Sequence, residues 1–299
     1  MTNHPHRSDS SPSPVETTRP FLKWTGGKQR LLKKIIPYLP PGKRLIEPFL
    51  GAGSVFLGTN YPEYVLGDIN ADLIAVWTAL RERPSEFIER AQALFMAENT
   101  SSASYYRIRD HFNSIDDRFE RAVLIPYLNR FGFNGLFREN SQGAFNVPYG
   151  HLARTPHFPL EEMMAASNKL PQATLHAGGF HPLLADAKEG DVVYCDPPYA
   201  KVTETSFIEY NAAGFSHHDH RRLATAAEQA ADRGATVLIS NSDTHFTREL
   251  YRQCGVVVLT AHRSIAARTG SRGRVSEMLA IYRPCLLYTS DAADDLLCV

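Results

Sequence analysis

The chain has 299 residues, 43% of them hydrophobic and 21% charged, enough for one large domain or for a domain carrying a sizeable insertion. Its 32 Lys and Arg balance 32 Asp and Glu, so net charge alone selects no class of partner. No apolar run approaches the roughly 20 residues of a membrane span. The four cysteines, Cys195, Cys254, Cys285 and Cys298, have no metal-type spacing, which makes a reduced, cytoplasmic protein without a metal site the expectation.

Residues 1–18 are rich in Ser, Pro and Thr and lack an apolar signal core, so they read as a disordered leader. From Arg19 to Arg44 there are eight Lys or Arg and no acid, and from His262 to Arg283 five Arg stand against Glu277 alone. Surface solvation is the common fate of such runs; two on one chain also suit a phosphate-facing surface. Buried strands are expected at "RLIEPF", "YVLGDI", "DVVYCD", "ATVLISN" and "GVVVLT". Between the third and fourth, "SHHDHRRLATAAEQAADRG" predicts a helix closed by Gly234. This alternation predicts an α/β fold with a doubly wound, mostly parallel sheet. From about Asn70 to Arg130 the pattern turns helical, followed by the Gly- and Asn-rich "FGFNGLFRENSQGAFNVPYG". The expectation is a mostly helical insert, residues 71–159, within a domain made of 19–70 and 160–284. Residues 285–299, "CLLYTSDAADDLLCV", are aperiodic and read as the translation of a sequencing adapter; without them the balance is 32 basic against 29 acidic.

"LIEPFLGAGSVFLG" is a strand, a glycine turn and an apolar helix start. Phe49, Gly51 and Gly53 are cofactor-binding candidates, the glycines letting a backbone approach a ligand at the carboxyl end of the first strand. Asp68 ends the next strand, 17 residues beyond Gly51, near the place where nucleotide-binding sheets hold ribose hydroxyls with a carboxylate. The dinucleotide fingerprint fails at Phe56, and no phosphate loop occurs. A ribose-bearing ligand without phosphate is favoured, S-adenosylmethionine (SAM) being the common one. In "FLKWTGGKQRLLKKI" the expectation is an amphipathic helix opened by Thr25-Gly26-Gly27, with Lys28 in its first turn. A cation there opposes the helix dipole, so it needs another reason, such as a small carboxylate. Trp24 suits either a sulfonium or ordinary core packing.

"YCDPPYA" ends a strand with an acid, two prolines and an aromatic. Prolines cannot extend a central strand, so a stiff loop presents Asp196 and Tyr199. Asp-Pro-Pro-Tyr supplies what methylation of an exocyclic amine demands. The amine's lone pair is delocalised into the ring; a carboxylate and a rigid backbone carbonyl accepting its two N–H bonds would steer it toward a nucleophilic state. Pro197 and Pro198 fix that carbonyl, and Tyr199 offers a face for an extruded base. In-line displacement then needs mainly positioning and charge placement. Cys195 reads as a buried strand thiol.

Over residues 20–284 the chain resembles the Dam-type DNA adenine-N6 methyltransferases, through "FLKWTGGK", "EPFLGAGSVF", "DPPY" and, most tellingly, "YLNRFGFNGLFREN…GAFNVPYG". "RSIAARTGSRGRVSEMLAIYRP" matches the family's C-terminal hairpin. The resemblance implies a Rossmann-like SAM-binding sheet with a target-recognition insert, and a monomeric enzyme acting on GATC in double-stranded DNA. It places Trp24, Lys28, Asp68 and Asp196 at cofactor positions and Asp196, Pro197, Pro198 and Tyr199 at catalytic ones. For DNA it implies that Lys23 reads the first base pair, Leu136 and Pro148 touch the thymine methyl, and Arg138 pairs with the last guanine. Phe133 stands where an aromatic inserts beside the flipped base, and Asn134 after it is a further DNA-recognition candidate. His151 and Leu152 depart from the more basic or aromatic residues expected there, which bears on phosphate contacts rather than on the sequence read. Enzymes acting on RNA or protein amines are the nearest rival reading, and a catalytically silent DNA-binding regulator is the rival outside enzymes.

Overall fold

A computed structural model describes residues 18–200, 215–262 and 274–284. Most of the leader, the hairpin tip and residues 285–299 with Cys285 and Cys298 lie outside the described residues.

The described residues build one seven-stranded sheet in the order β3-β2-β1-β4-β5-β7-β6. Its strands are β1 (Arg44–Glu47), β2 (Glu63–Asp68), β3 (Ala173–Ala177), β4 (Asp191–Cys195), β5 (Thr236–Ser242), β6 (Gly255–His262) and β7 (Arg274–Tyr282). The first five strands run parallel, and β7 is inserted antiparallel between β5 and β6. The helices are α1 (Leu32–Ile35), α2 (Ser54–Gly58), α3 (Ala71–Glu82), α4 (Pro84–Ala93), α5 (Ser102–Ser114), α6 (Arg118–Phe131), α7 (Leu160–Lys169), α8 (His181–Asp186), α9 (His217–Asp232) and α10 (His245–Leu250). This is the expected doubly wound α/β architecture with a helical insert.

Strand alternation sorts the core into two layers, because successive side chains point to opposite faces. Leu45, Leu66, Val192, Tyr194, Leu238 and Leu279 face α1, α2 and the insert. Ile46, Val193, Cys195, Val237, Ile239 and Ala280 face α8 and α9. Ala224, Ala227, Ala230 and Ala231 line the buried side of α9, and small side chains let its backbone lie close to the sheet. Gly234, with φ +94°, ends that helix in the left-handed region as expected. The insert shares the sheet's core: Trp77 of α3 lies 4.9 Å edge-on from the Phe21 ring and 6.0 Å from that of Phe56.

Three local expectations change. The segment after Gly27 is a three-residue 3-10 turn, Lys28–Arg30, followed by the four-residue α1, so no long helix dipole acts on Lys28. Strand β3 escaped the sequence reading because an edge strand with His176 and half-exposed positions presents no apolar run. The basic run from Arg19 to Arg44 is not one surface. The Arg44 guanidinium grips Asp191 through two bonds of 2.9 Å and Asp186 through one of 2.8 Å, tying the amino ends of β1 and β4 together.

Candidate active site

The strand order reverses between β1 and β4, so the loops at their carboxyl ends diverge and leave a crevice, where open α/β sheets bind ligands. Residues 48–53 leave β1 on one side and Asp196–Ala200 leave β4 on the other.

The glycine turn is held from three directions. Gly51 donates its N–H to Asp68 Oδ2 at 3.0 Å, and Asn70 donates to Asp68 Oδ1 at 2.9 Å. Burial pushes the Asp68 carboxyl above its usual range, opposed by these donated bonds. Gly51 and Gly53 have φ of +51° and +69°, which L side chains rarely adopt. A Cβ on Gly51 would lie 3.0 Å from Trp24 Cδ1, and one on Gly53 would lie 2.9 Å from Trp77. What approaches the turn in this structure is therefore a pair of tryptophans, not only the space expected for a ligand. Trp24 also stacks on Phe137 of the insert, at 5.7 Å between centroids. Phe49, two residues before Gly51, packs against Phe180 at 5.6 Å and Phe215 at 5.7 Å, which anchors the start of the turn on the α8 side of the sheet.

Lys28 is buried, and its ammonium lies 2.7 Å from Asp196 Oδ1 and 2.7 Å from the carbonyl of Gly26. The same ammonium sits 4.8 Å from the centroid of the Tyr199 ring. The carboxylate this cation reaches here is thus Asp196 of its own chain. Burial pushes the Asp196 carboxyl up, and the Lys28 charge pulls it back. The Tyr199 hydroxyl donates to Glu277 Oε2 at 2.6 Å. Burial first, then the charges of Asp196 and Glu277, hold the phenol far above its ordinary range, so it remains a donor. Beyond the tyrosine, Ala200 donates its N–H to Asn241 Oδ1 at 3.2 Å and accepts from Ser242 Oγ at 2.8 Å. Pro197 is buried between these anchors and Pro198 is exposed. The Cys195 thiol is buried and pushed far up, an inert strand residue as expected.

Several of these partners were not singled out from sequence. Glu277 and Asn241 gave no local signal, because their partners are distant in the chain and meet them only through the β4–β5 and β5–β7 pairings. Glu47, in the quoted "EPF", is buried with its carboxyl pushed up to about 8 by desolvation, which the Lys169 charge opposes. Its Oε1 has no hydrogen-bond partner among the described residues. Ile69, directly after Asp68, is 80% exposed, although large apolar side chains at strand ends are commonly covered.

The six DNA-reading candidates also come together. The N–H of Phe133 donates to the carbonyl of Pro148 at 2.9 Å, and Asn146 donates its N–H to the carbonyl of Arg138 at 3.0 Å. Asn134 takes a left-handed φ of 54°, giving the sharp turn before Leu136. A Cβ on Gly135 would lie 2.6 Å from Lys23 Cβ, so Lys23 rests on this turn. Lys23, Phe133, Asn134, Arg138 and Pro148 are exposed and Leu136 is half-buried. Arg138 Nε is committed to Asn146 Oδ1 at 2.7 Å.

The donor set fits SAM. The acids Asp68 and Asp196 suit hydroxyls and a cationic donor, the Lys28 ammonium suits a carboxylate, and exposed Ile69 offers an apolar face beside Asp68. A doubly wound sheet ending in a glycine turn, a strand-end acid and an Asp-Pro-Pro-Tyr loop defines a SAM-dependent methyltransferase of amino groups. The profile of the D12 class N6 adenine-specific DNA methyltransferases matches residues 24–265. The chain is 43% identical over 271 residues to a DNA adenine methylase of Escherichia coli K12, covering 90% of this chain and 97% of that one. It is likewise 43% identical over 274 residues to one from Vibrio cholerae, covering 91% and 99%. It belongs to the D12 class N6 adenine-specific DNA methyltransferase family: an enzyme that methylates adenine N6 in DNA with SAM as methyl donor. Among the described residues no helix is long and apolar enough to cross a membrane.

Proposed function

We propose that the enzyme methylates the adenine of GATC in double-stranded DNA, reading the site with residues 71–159 and Lys23 and performing the chemistry on the crevice formed by 19–70 and 160–284. The observation that carries this reading is the gathering of Lys23, Phe133, Asn134, Leu136, Arg138 and Pro148 around the Phe133–Leu136 turn, through the Phe133–Pro148 and Asn146–Arg138 backbone hydrogen bonds and the packing of Gly135 on Lys23. Its chemistry is right for the target. An arginine and a lysine suit guanine edges, apolar Leu136 and Pro148 suit a thymine methyl, and an exposed Phe133 suits the gap left by a flipped base.

Trp24, Lys28, Asp68 and Asp196 would hold SAM, with Phe49, Gly51 and Gly53 shaping the turn beside it. Bound there, SAM supplies an electrophilic methyl group. Asp196 accepts one N–H of adenine N6 and the rigid carbonyl of the Pro197–Pro198 segment accepts the other. With both protons held out of the ring plane, the nitrogen lone pair localises. The Lys28 ammonium, 2.7 Å away, favours the ionised Asp196 carboxylate and so opposes the effect of its burial. Tyr199 stacks on the extruded base, its ring held by the bond to Glu277. As the N–methyl bond forms, the methyl's bond to the sulfonium sulfur would break, leaving a neutral thioether, and the nitrogen would then release one proton to solvent, so Asp196 orients the amine and is not chiefly a base. DNA from methylation-deficient cells expressing the enzyme should resist a methylation-sensitive GATC nuclease and yield to a methylation-dependent one. Cleavage by the sensitive nuclease would refute the GATC assignment.

A further inference from the structure

The base-reading candidates come from two distant stretches of chain, Lys23 before the insert and Phe133–Arg138 within it. What joins them is Asn129, near the end of α6 and only 3% exposed. Its Oδ1 accepts the N–H of Lys23 at 2.8 Å, while its Nδ2 donates to the carbonyl of Lys23 at 2.7 Å and to that of Gly135 at 2.9 Å. Both amide hydrogens are used, so this side chain pairs with the Lys23 backbone as a neighbouring strand would and grips the recognition turn as well. Two further contacts close the junction. Arg130 Nη2 donates to the carbonyl of Phe21 at 2.8 Å. Gly135, with φ +65°, brings its backbone against the Lys23 stem, where a Cβ would lie 2.6 Å from Cβ and 2.9 Å from Cδ.

Resting on the proposed reading of Lys23, Leu136 and Arg138, we propose that Asn129 is a specificity-positioning residue, which locks Lys23 and the Phe133–Leu136 turn into one register so that both ends of the site are read together. A buried, fully satisfied amide of this kind admits one arrangement, because any slip leaves two carbonyls and an N–H without partners. Reading the first base pair and reading the last are therefore coupled through a residue that touches neither.

The test is single-turnover methylation of GATC duplexes and of duplexes altered at the first or the last base pair. Lys23→Ala should lose discrimination at the first pair and Arg138→Ala at the last, each by roughly tenfold. Asn129→Ser should lower discrimination at both pairs, by roughly tenfold each, with SAM affinity by calorimetry unchanged within a few-fold. A folded Asn129→Ser enzyme slowed by one common factor on every duplex would overturn the proposal, leaving Asn129 a packing residue. Should that variant not fold, the double variant of Lys23→Ala and Arg138→Ala decides: a coupled register makes its rate loss on GATC non-additive, and strict additivity overturns the clamp. If neither single variant changes discrimination, the base-reading assignment fails, and the clamp fails with it.

Discussion

Removing the Tyr199 hydroxyl tests how the catalytic loop is held. Sequence alone favours a mild Tyr199→Phe, since the ring face survives. The structure changes that expectation, because the hydroxyl makes a 2.6 Å bond to Glu277 on β7, a strand antiparallel to β5 beside the loop. Hydrogen bonds to charged partners contribute about 1.5–3 kcal/mol, and about 1.4 kcal/mol is tenfold in rate. Partial exposure of both residues places the effect toward the lower end, so Tyr199→Phe should slow single-turnover methylation by roughly tenfold. Tyr199→Ala also loses a stacking surface worth about 1–3 kcal/mol and should be slower by a further factor of roughly ten or more. Glu277→Gln retains an acceptor and should lie between wild type and Tyr199→Phe. Target-base extrusion, followed by 2-aminopurine fluorescence, should weaken in the same order. A Tyr199→Phe enzyme with wild-type rate and fluorescence would refute the holding role of Glu277. Equal losses in the Phe and Ala variants would remove the stacking role of the ring.

Asp196→Ala should abolish methylation while thermal unfolding stays cooperative; residual activity within tenfold of wild type would remove Asp196 from the chemistry. Asp68→Ala should weaken SAM binding by about 1–3 kcal/mol, through the lost ligand bond and the loosened Gly51 and Asn70 N–H groups, and unchanged calorimetric affinity would refute its place in the site. The Glu47 carboxyl is raised from its ordinary value to about 8, so the folded state binds the extra proton between the two values. The stability this contributes is fully present below the unfolded-state value and is lost as pH rises through about 8. Glu47→Gln should accordingly flatten the fall in the urea midpoint between pH 5 and pH 8, and an unchanged slope would show that Glu47 is ionised in the fold. Arg138→Ala should slow methylation of GATC and narrow its preference over sites altered at the last base pair by about 1–3 kcal/mol, since Nη1 and the second hydrogen of Nη2, whose first goes to the Asn146 carbonyl at 3.4 Å, can face guanine. Equal slowing of all four duplexes would make Arg138 a phosphate clamp.

Much of the fold was legible locally. Apolar runs at β1, β2, β4, β5 and β6, the glycine turn at Gly51–Gly53, the strand-end acid Asp68 and the stiff loop at Asp196–Tyr199 all rest on interactions between near neighbours in the chain. Periodicity, proline geometry and glycine conformation are properties of short segments, so a reader of the sequence can reach them. The same holds for the residue types that suit an amine and a base edge.

Tertiary structure alone decided who those residues meet. Lys28 has a carboxylate partner in Asp196, Tyr199 has Glu277, Ala200 has Asn241, and Asn129 joins Lys23 to Gly135. Apart from the bond of Asn129 to nearby Gly135, each pair is separated by a length of chain over which local propensity carries no information, and is set by strand order or by the docking of α6 against the first turn. The segment after Gly27 shows the same limit from the other side. Its pattern is amphipathic and its composition helical, yet Ile35 and Leu32 are already satisfied in the sheet core by a single turn, and the chain then tightens into a 3-10 turn, Ile36–Tyr38, that contains Pro37. Burial against the sheet, rather than intrinsic propensity, set its length.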